Sequence, residues 1–135
     1  VFISVKDPDK PAATEVVRRL TGQGYRLIAT RGTAKYLQER GFDVACINKV
    51  KEGSPHIVDA IENGDVQFVI NTAFGEQEVK DSFSLRRASL VKNLPYCTTI
   101  AGAYALAGAL QSIRDSALDI CSLQEYWQDQ QERRQ

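Results

Sequence analysis

Two threonines flank an Arg-Gly pair at the end of an apolar run, in the stretch LIATRGTA (residues 27–34). Hydroxyls and backbone N–H groups at the start of a helix can hold an anion, because the helix dipole favours negative charge there. A glycine at this point permits a positive φ and the close approach of a phosphate oxygen. Thr30, Gly32 and Thr33 are therefore candidates for phosphate binding. The alternative is that Thr33 only caps its helix and Gly32 only forms a turn.

Further polar residues follow other apolar runs of the chain. Lys10 lies in the loop beyond the first run, Lys49 follows the third, and Asn71 and Thr72 end the fourth. Lysine supplies a point charge, and the amide and hydroxyl groups supply hydrogen bonds. Each residue taken singly is typical of a surface or a local cap, but their combination predicts a site for a small phosphorylated molecule. Two more hydroxyls follow the fifth run and are candidates for the border of that site: Thr98 and Thr99.

Five apolar runs separated by amphipathic segments must bring these residues together. The predicted strands are residues 1–5, 25–29, 43–47, 66–71 and 96–97. Strands alternating with helices indicate β-α-β units, so we predict one α/β domain over residues 1–135. The expected architecture is a three-layer sandwich with an about five-stranded, mostly parallel sheet and helices on both faces. In open parallel sheets, ligands bind beyond the carboxyl ends of the strands, where the candidate residues stand.

The segments between the strands carry helical spacing. In the first one, four apolar residues are expected to face the sheet: Ala13, Val16, Val17 and Leu20. Further helices are predicted at 33–40, 55–63, about 82–92 and 99–113, the last as a buried helix of small residues. Residues 48–54 and 72–81 are expected to form loops. The tail is predicted to be one more helix, docked by Leu123, Tyr126 and Trp127.

The composition excludes several classes of protein. Lys+Arg and Asp+Glu number 17 each in 135 residues, which argues against binding nucleic acid or an anionic membrane through net charge. No apolar run approaches the roughly 18 residues of a membrane span. The three cysteines, Cys46, Cys97 and Cys121, are far apart and have apolar neighbours. We expect buried thiols without a disulfide framework, which indicates a reducing, cytoplasmic compartment.

No set of residues indicates catalysis. His56, the single histidine, follows a proline and has no carboxylate or cysteine pattern around it, so a cap or a surface position is expected. Arg86 and Arg87 are interpreted as a solvated face. Neither Gly-x-x-x-x-Gly-Lys-Ser/Thr nor Gly-x-Gly-x-x-Gly occurs. The pattern favours binding, with no catalytic residue, metal or cofactor.

Six stretches resemble, in order, the methylglyoxal-synthase-like domain that ends the large subunit of carbamoyl phosphate synthetases. They are ISVKDPDK, ATRGTAKYL, INKVKEGSPHI, NGDVQFVINT, SLRRASL and YCTTIAGAYALAGAL, and together they span nearly the whole chain. The chain contains no Met and begins within a strand-like run. We therefore expect a domain excised from the C-terminal end of a much longer protein.

The resemblance implies an allosteric domain that performs no chemistry itself. In that family uridine monophosphate (UMP) inhibits and inosine monophosphate (IMP) activates, ornithine activates at a bordering site, and the domain contributes to oligomer contacts. The implied parent is a glutamine-hydrolysing, ATP-dependent ligase of pyrimidine and arginine biosynthesis, using ATP, Mg²⁺ and K⁺. Its partners would be the rest of the large subunit and the glutaminase small subunit. The phosphate and sugar contacts of the family match Lys10, Thr30, Thr33, Lys49, Asn71 and Thr72.

Two positions depart from the family pattern, and other functions remain as alternatives. Ala73 stands where relatives carry a hydroxyl that can face the nucleotide, and Cys97 where they tend to have Asp, which bears on the responses to UMP and ornithine. A methylglyoxal synthase would need the Asp of a Gly-Gly-Asp stretch, where this chain has Gly53-Ser54-Pro55. An inosinate cyclohydrolase would carry Lys-Thr-Leu-His-Pro, which is absent. A purely structural domain that mediates subunit contacts is the third alternative.

Overall fold

The computed structural model describes residues 1–73, 75–116 and 120–132, and its strands form one parallel sheet. The strands are β1 Phe2–Val5, β2 Leu27–Thr30, β3 Val44–Ile47, β4 Val69–Thr72 and β5 Tyr96–Cys97. They lie in the order β3-β2-β1-β4-β5, and every neighbouring pair is parallel. The α/β class is confirmed, and the sheet predicted as mostly parallel is parallel throughout the described residues.

Helices connect the strands. They are α1 Lys10–Gly22, α2 Arg31–Gln38, α3 Ile57–Glu62, α4 Glu76–Asp81, α5 Phe83–Val91, α6 Ile100–Asp115 and α7 Leu123–Glu132. Short 3₁₀ helices lie at Asp7–Asp9 and Val50–Glu52, the second within the loop predicted at 48–54. The prediction of a loop over 72–81 is wrong, because α4 forms there. An ion pair of 2.7 Å between Glu76 and Lys80 supports that helix at i,i+4 spacing.

The first face of the sheet is covered by α1, α2 and α6. The four residues predicted to face the sheet from α1 are confirmed there: Ala13, Val16, Val17 and Leu20 are each 0% exposed. They pack with Ile3 and Ile70 of the two central strands. Burial of such side chains contributes roughly 1.5–3 kcal/mol each, so this face fixes α1 firmly above the sheet.

The second face is covered by α3 and α5. Ile57 and Ile61 of α3 and Leu85 of α5 pack against Phe2 and Val69 of the sheet. Since helices lie on both faces of the sheet, the three-layer architecture is confirmed.

Two helices near the C-terminus are more exposed than expected. Only Ala103 and Ala107 are buried among the residues of α6, all of which are described, so the prediction of a buried helix is wrong for most of its surface. In α7, Leu123, Tyr126 and Trp127 are 76%, 53% and 64% exposed, so their predicted docking is also wrong. Apolar spacing identifies the apolar side of a helix but not what covers it.

The cysteines are free thiols, and two of them are exposed. Cys46 lies on the edge strand β3, and Cys121 precedes α7; both are exposed, against the expectation of buried thiols. Cys97 is half-buried, and this burial raises the pKa of its thiol. Within the described part of the chain, no helix is both long enough and apolar enough to cross a membrane.

Candidate functional site

A cavity of about 270 Å³ opens at the carboxyl ends of β1, β2 and β4. The order of the strands reverses at β1, because β2 lies on one side of it and β4 on the other. Open parallel sheets bind ligands beyond such a reversal. All seven residues predicted from the strand ends line this cavity: Lys10, Thr30, Gly32, Thr33, Lys49, Asn71 and Thr72. The volume is close to the lower end of small-molecule pockets, about 300 Å³.

Two of the threonine hydroxyls close the carboxyl end of the central strand. The Thr33 hydroxyl accepts a hydrogen bond from the backbone N–H of Val5 at 3.2 Å. The Thr72 hydroxyl accepts one from the backbone N–H of Lys6 at 3.1 Å. Both threonines are buried. These hydroxyls therefore hold β1 against its neighbours and shape the floor of the cavity.

The start of α2 forms one wall. The helix begins at Arg31, with Thr30 at its N-cap position, so the prediction that Thr33 caps the helix is wrong. The Thr30 hydroxyl instead shares a hydrogen bond of 3.0 Å with the hydroxyl of Ser4, and no described side chain caps the helix. The first N–H groups of a helix have no partner within it. The first turn of α2 therefore offers backbone donors and the positive end of the helix dipole at the cavity.

Gly32 lies in this wall and leaves space in the cavity because it has no side chain. It lies within α2 and is not one of the glycines with positive φ, so the expected positive-φ turn is wrong. A Cβ at this position would stand 3.7 Å from the Lys10 ammonium nitrogen. Glycine thus leaves the space between the ammonium group and the first helical turn open.

Lys10 is the first residue of α1 and brings its ammonium group to the same place. Its side chain is only 16% exposed and forms an ion pair of 2.6 Å with Asp7. The ammonium nitrogen also lies 5.8 Å from the centre of the Tyr36 ring. The hydrogen bond from Lys10 holds the pKa of the Asp7 carboxyl below its ordinary value. Because Asp7 is largely exposed, an incoming anion can compete with it for Lys10.

Positive charge dominates the lining of the cavity. The charged residues that the structure describes there are Lys6, Lys10, Lys49, Lys51, Asp7 and Glu78. Four ammonium groups against two carboxylates leave a formal excess of two positive charges. A partly enclosed site with this balance favours an anion, because screening by water is weaker there than on an open surface.

Asn71 is buried at 6% exposure on the side of the cavity next to β5. Its amide nitrogen donates hydrogen bonds to the Ser82 hydroxyl at 3.0 Å and the Tyr96 hydroxyl at 2.7 Å. The Ser82 hydroxyl in turn donates to the backbone carbonyl of Glu78 at 2.8 Å. These hydrogen bonds hold the amide in one orientation.

Sequence reasoning missed three residues of this region: Ser4, Ser82 and Tyr96. Ser4 lies within β1, and its alternation with apolar neighbours was the available signal. Ser82 and Tyr96 lie 11 and 25 residues from Asn71, so no local pattern connects them to it. Thr98 and Thr99 are not among the described residues that line the cavity. Thr99 caps α6, since its hydroxyl accepts from the backbone N–H of Gly102 at 3.0 Å.

His56 acts as a cap, as predicted. It stands at the N-cap position of α3, and its Nδ1 accepts from the backbone N–H of Asp59 at 3.4 Å. The Asp59 carboxylate accepts from the backbone N–H of His56 at 2.8 Å and the Ser54 hydroxyl at 2.7 Å. These two bonds hold the pKa of Asp59 below its ordinary value. Asp59 is the first carboxylate that follows Gly53-Ser54-Pro55 in the sequence, and it is engaged in these hydrogen bonds at the start of α3.

Two comparisons with known proteins bear on the family of the chain. A family model described as "MGS-like domain" matches residues 12–98. The carbamoyl phosphate synthase large chain of Myxococcus xanthus is 49% identical over 126 residues, which cover 93% of this chain and 12% of that protein. The large chain of Mesorhizobium japonicum is 47% identical over 127 residues, covering 94% and 11%.

The chain therefore spans about one eighth of the length of these relatives. The match covers most of the chain and includes β2 and β4, whose carboxyl ends line the cavity, as well as β3. The resemblance read from the sequence is confirmed at the level of the family. The chain belongs to the MGS-like domain family.

Proposed function

We propose that this chain is the allosteric domain of a carbamoyl phosphate synthase large chain and binds a nucleoside monophosphate in the cavity at the carboxyl ends of β1, β2 and β4. One observation carries the proposal: seven residues chosen from the sequence for phosphate and sugar binding line one positively charged cavity. The similarity to large chains over 93% of this chain supports the choice of parent protein.

The phosphate of the ligand is assigned to the start of α2. Uncapped backbone donors, the Lys10 ammonium and the space above Gly32 come together at that point. A charge-assisted hydrogen bond contributes about 1.5–3 kcal/mol, and several converge here. The Thr30 and Thr33 hydroxyls then act mainly by shaping the cradle, because each is already bonded to a group of β1.

Regulation follows if the occupied domain favours one arrangement of the parent enzyme. Such coupling is reciprocal, so substrates at the distant active sites shift the affinity for the effector by the same factor. UMP as inhibitor and IMP as activator are the proposed effectors, and an ornithine site bordering Thr98 and Thr99 is part of the same proposal.

Contacts with the rest of the parent enzyme, or between copies, are proposed for the outer surface of α5. Phe83, Leu90 and Val91 are 66%, 77% and 70% exposed there. Large apolar side chains grouped on one helix are typical of a surface that another protein covers. This observation supports the interface role as a second function beside effector binding.

Isothermal titration calorimetry with UMP, IMP and inorganic phosphate tests the proposal. Lys10→Gln should weaken the nucleotides about ten-fold or more, because it removes one charge-assisted bond. Lys35→Gln is the matched control: Lys35 lies on α2, is 78% exposed and is not among the described residues that line the cavity. Equal affinities for the wild type and the Lys10 variant would contradict the proposed site.

A further inference from the structure

The orientation of the Asn71 amide can be assigned from its neighbours. Ser82 has one hydroxyl proton, and that proton is donated to the Glu78 carbonyl oxygen at 2.8 Å. Ser82 can therefore only accept from Asn71, and a carbonyl oxygen of Asn71 in that place would face a second acceptor. The group 3.0 Å from Ser82 must be the NH₂ group of Asn71. The same nitrogen lies 2.7 Å from the Tyr96 hydroxyl, which takes its second hydrogen.

This orientation limits what Asn71 can bind. Both amide hydrogens are used within the protein, so a hydrogen bond to a ligand must be one that the carbonyl oxygen Oδ1 accepts. A phosphate dianion has no proton to donate, whereas a sugar hydroxyl does. The buried amide therefore discriminates between these two kinds of group.

The position of Asn71 in the sheet supports a contact between its carbonyl oxygen and a sugar hydroxyl of the ligand. Asn71 is aligned with Ser4 on β1, and β2 with Thr30 is the next strand beyond it. With strands about 4.8 Å apart, Asn71 is roughly 10 Å from the start of α2. A bare phosphate held at α2 cannot span that distance, but a group attached to the phosphate can.

We infer that Tyr96 and Ser82 are positioning residues that fix Asn71 as a hydrogen-bond acceptor, so that the cavity selects a phosphorylated ligand carrying a sugar hydroxyl over phosphate alone. This inference rests on the proposed function of the cavity and deepens it. Tyr96 and Ser82 act through Asn71, since their own bonds to it consume its amide hydrogens.

Calorimetry on the chain with three probes tests the inference: UMP, 2′,3′-dideoxyuridine monophosphate and inorganic phosphate. Tyr96→Phe removes one acceptor, so that Ser82 alone holds the amide and one amide hydrogen is left without a partner. It should lower the affinity for UMP about five-fold, the equivalent of one neutral hydrogen bond. The affinities for inorganic phosphate and for the dideoxy analogue should stay unchanged. Tyr104→Phe, on the outer side of α6, is the matched control and should alter none of the three.

A second variant tests the same inference if the Tyr96 variant fails to fold. Ser82→Ala leaves Tyr96 in place and should produce the same selective loss for UMP, with the exposed Ser84→Ala as its control. Equal losses for UMP and inorganic phosphate, or no loss for UMP in either variant, would overturn the inference while leaving the proposed function in place. If the wild type binds neither UMP nor inorganic phosphate, the proposed function fails and this inference fails with it.

Discussion

The hydroxyl of Thr33 on α2 lies 3.2 Å from the backbone nitrogen of Val5 and accepts its hydrogen, which joins a connecting helix to the last residue of the central strand. Thr33 is 2% exposed. A threonine that sequence reasoning assigned to ligand binding thus has a structural duty of its own. Any variant of Thr33 changes the stability of the sheet as well as the cavity.

Thr33→Val should lower the free energy of unfolding by about 1–3 kcal/mol, because it leaves the buried N–H of Val5 without a partner. Thr33→Ser keeps the hydroxyl and should lower the free energy of unfolding by a smaller amount. Urea denaturation followed by circular dichroism measures both. Thr14→Val is the control, since the hydroxyl of Thr14 donates to the backbone carbonyl of Lys10 in its own helix. Equal midpoints for the Thr33 and Thr14 variants would contradict this account.

Gly32→Ala should have opposite effects on stability and on binding. Alanine favours a helix over glycine by up to about 1 kcal/mol, so the melting temperature should rise. The added methyl would stand 3.7 Å from the Lys10 ammonium nitrogen, in the space assigned to the phosphate. Nucleotide affinity should fall roughly ten-fold.

Gly22→Ala provides the matched control for that experiment. Gly22 is the last residue of α1, and a Cβ there meets no described atom within 4 Å. It should affect stability in the same direction without changing affinity. Unchanged nucleotide affinity in the Gly32 variant would show that the phosphate does not occupy this wall.

Asp7→Asn should strengthen anion binding. Asp7 is 90% exposed and competes for the Lys10 ammonium at 2.6 Å. An exposed ion pair is weak, so the gain should be about two- to five-fold in affinity for inorganic phosphate. Glu39→Gln, which removes the partner of Lys35 on α2, is the control. A loss of affinity in the Asp7 variant would mean that the carboxylate contributes to the site.

The Asp59 carboxylate, which accepts hydrogen bonds at the start of α3, should make the free energy of unfolding depend on pH in the acid range. The folded-state pKa of Asp59 is lowered by the backbone N–H of His56 and then by the Ser54 hydroxyl. The ionised carboxylate therefore stabilises the fold above the ordinary pKa of aspartate, and this contribution disappears as the pH falls through the lowered folded value. Asp59→Ala should be destabilising at pH 7 and progressively less so towards pH 2.

Chemical denaturation at a series of pH values measures that difference. Glu62→Ala on the same helix serves as a control, because Glu62 is exposed and lies at the opposite end of α3. A difference between wild type and the Asp59 variant that stays constant from pH 7 to pH 2 would contradict the capping role.

The fluorescence of Trp127, the single tryptophan, should show that α7 is exposed to solvent. Its side chain is 64% exposed. Its fluorescence emission should resemble that of free tryptophan in water, with efficient quenching by acrylamide and no change when UMP is added. A blue-shifted, poorly quenched emission would mean that α7 docks after all.

The parts of the fold that depend on local pattern were predictable. Short β-branched runs marked the strands, and the spacing of Val16, Val17 and Leu20 marked the buried side of α1, because burial on one face imposes those periods. The helices predicted at 33–40 and 55–63 stop before Gly41 and Gly64, which have φ of 85° and 82° in the structure, a conformation that glycine adopts readily.

The parts that depend on distant partners were not predictable. Nothing around Thr33 indicates that its hydroxyl bonds to Val5, 28 residues earlier. Tyr96 and Ser82 meet Asn71 only because the sheet and α5 bring them there. The seven cavity residues were found because strand ends in a parallel sheet converge, which is a rule of topology, whereas their individual bonds are a matter of packing.

The central claim is that the first turn of α2 receives the phosphate of a nucleoside monophosphate. The most direct test is titration of ¹⁵N-labelled chain with UMP, followed by the backbone amide resonances of Arg31, Gly32 and Thr33. We predict that these amides show the largest shifts, that they saturate with one equivalent, and that inorganic phosphate shifts the same amides. Saturating UMP that leaves these three resonances unmoved, or moves only residues away from the carboxyl end of the sheet, would contradict the claim.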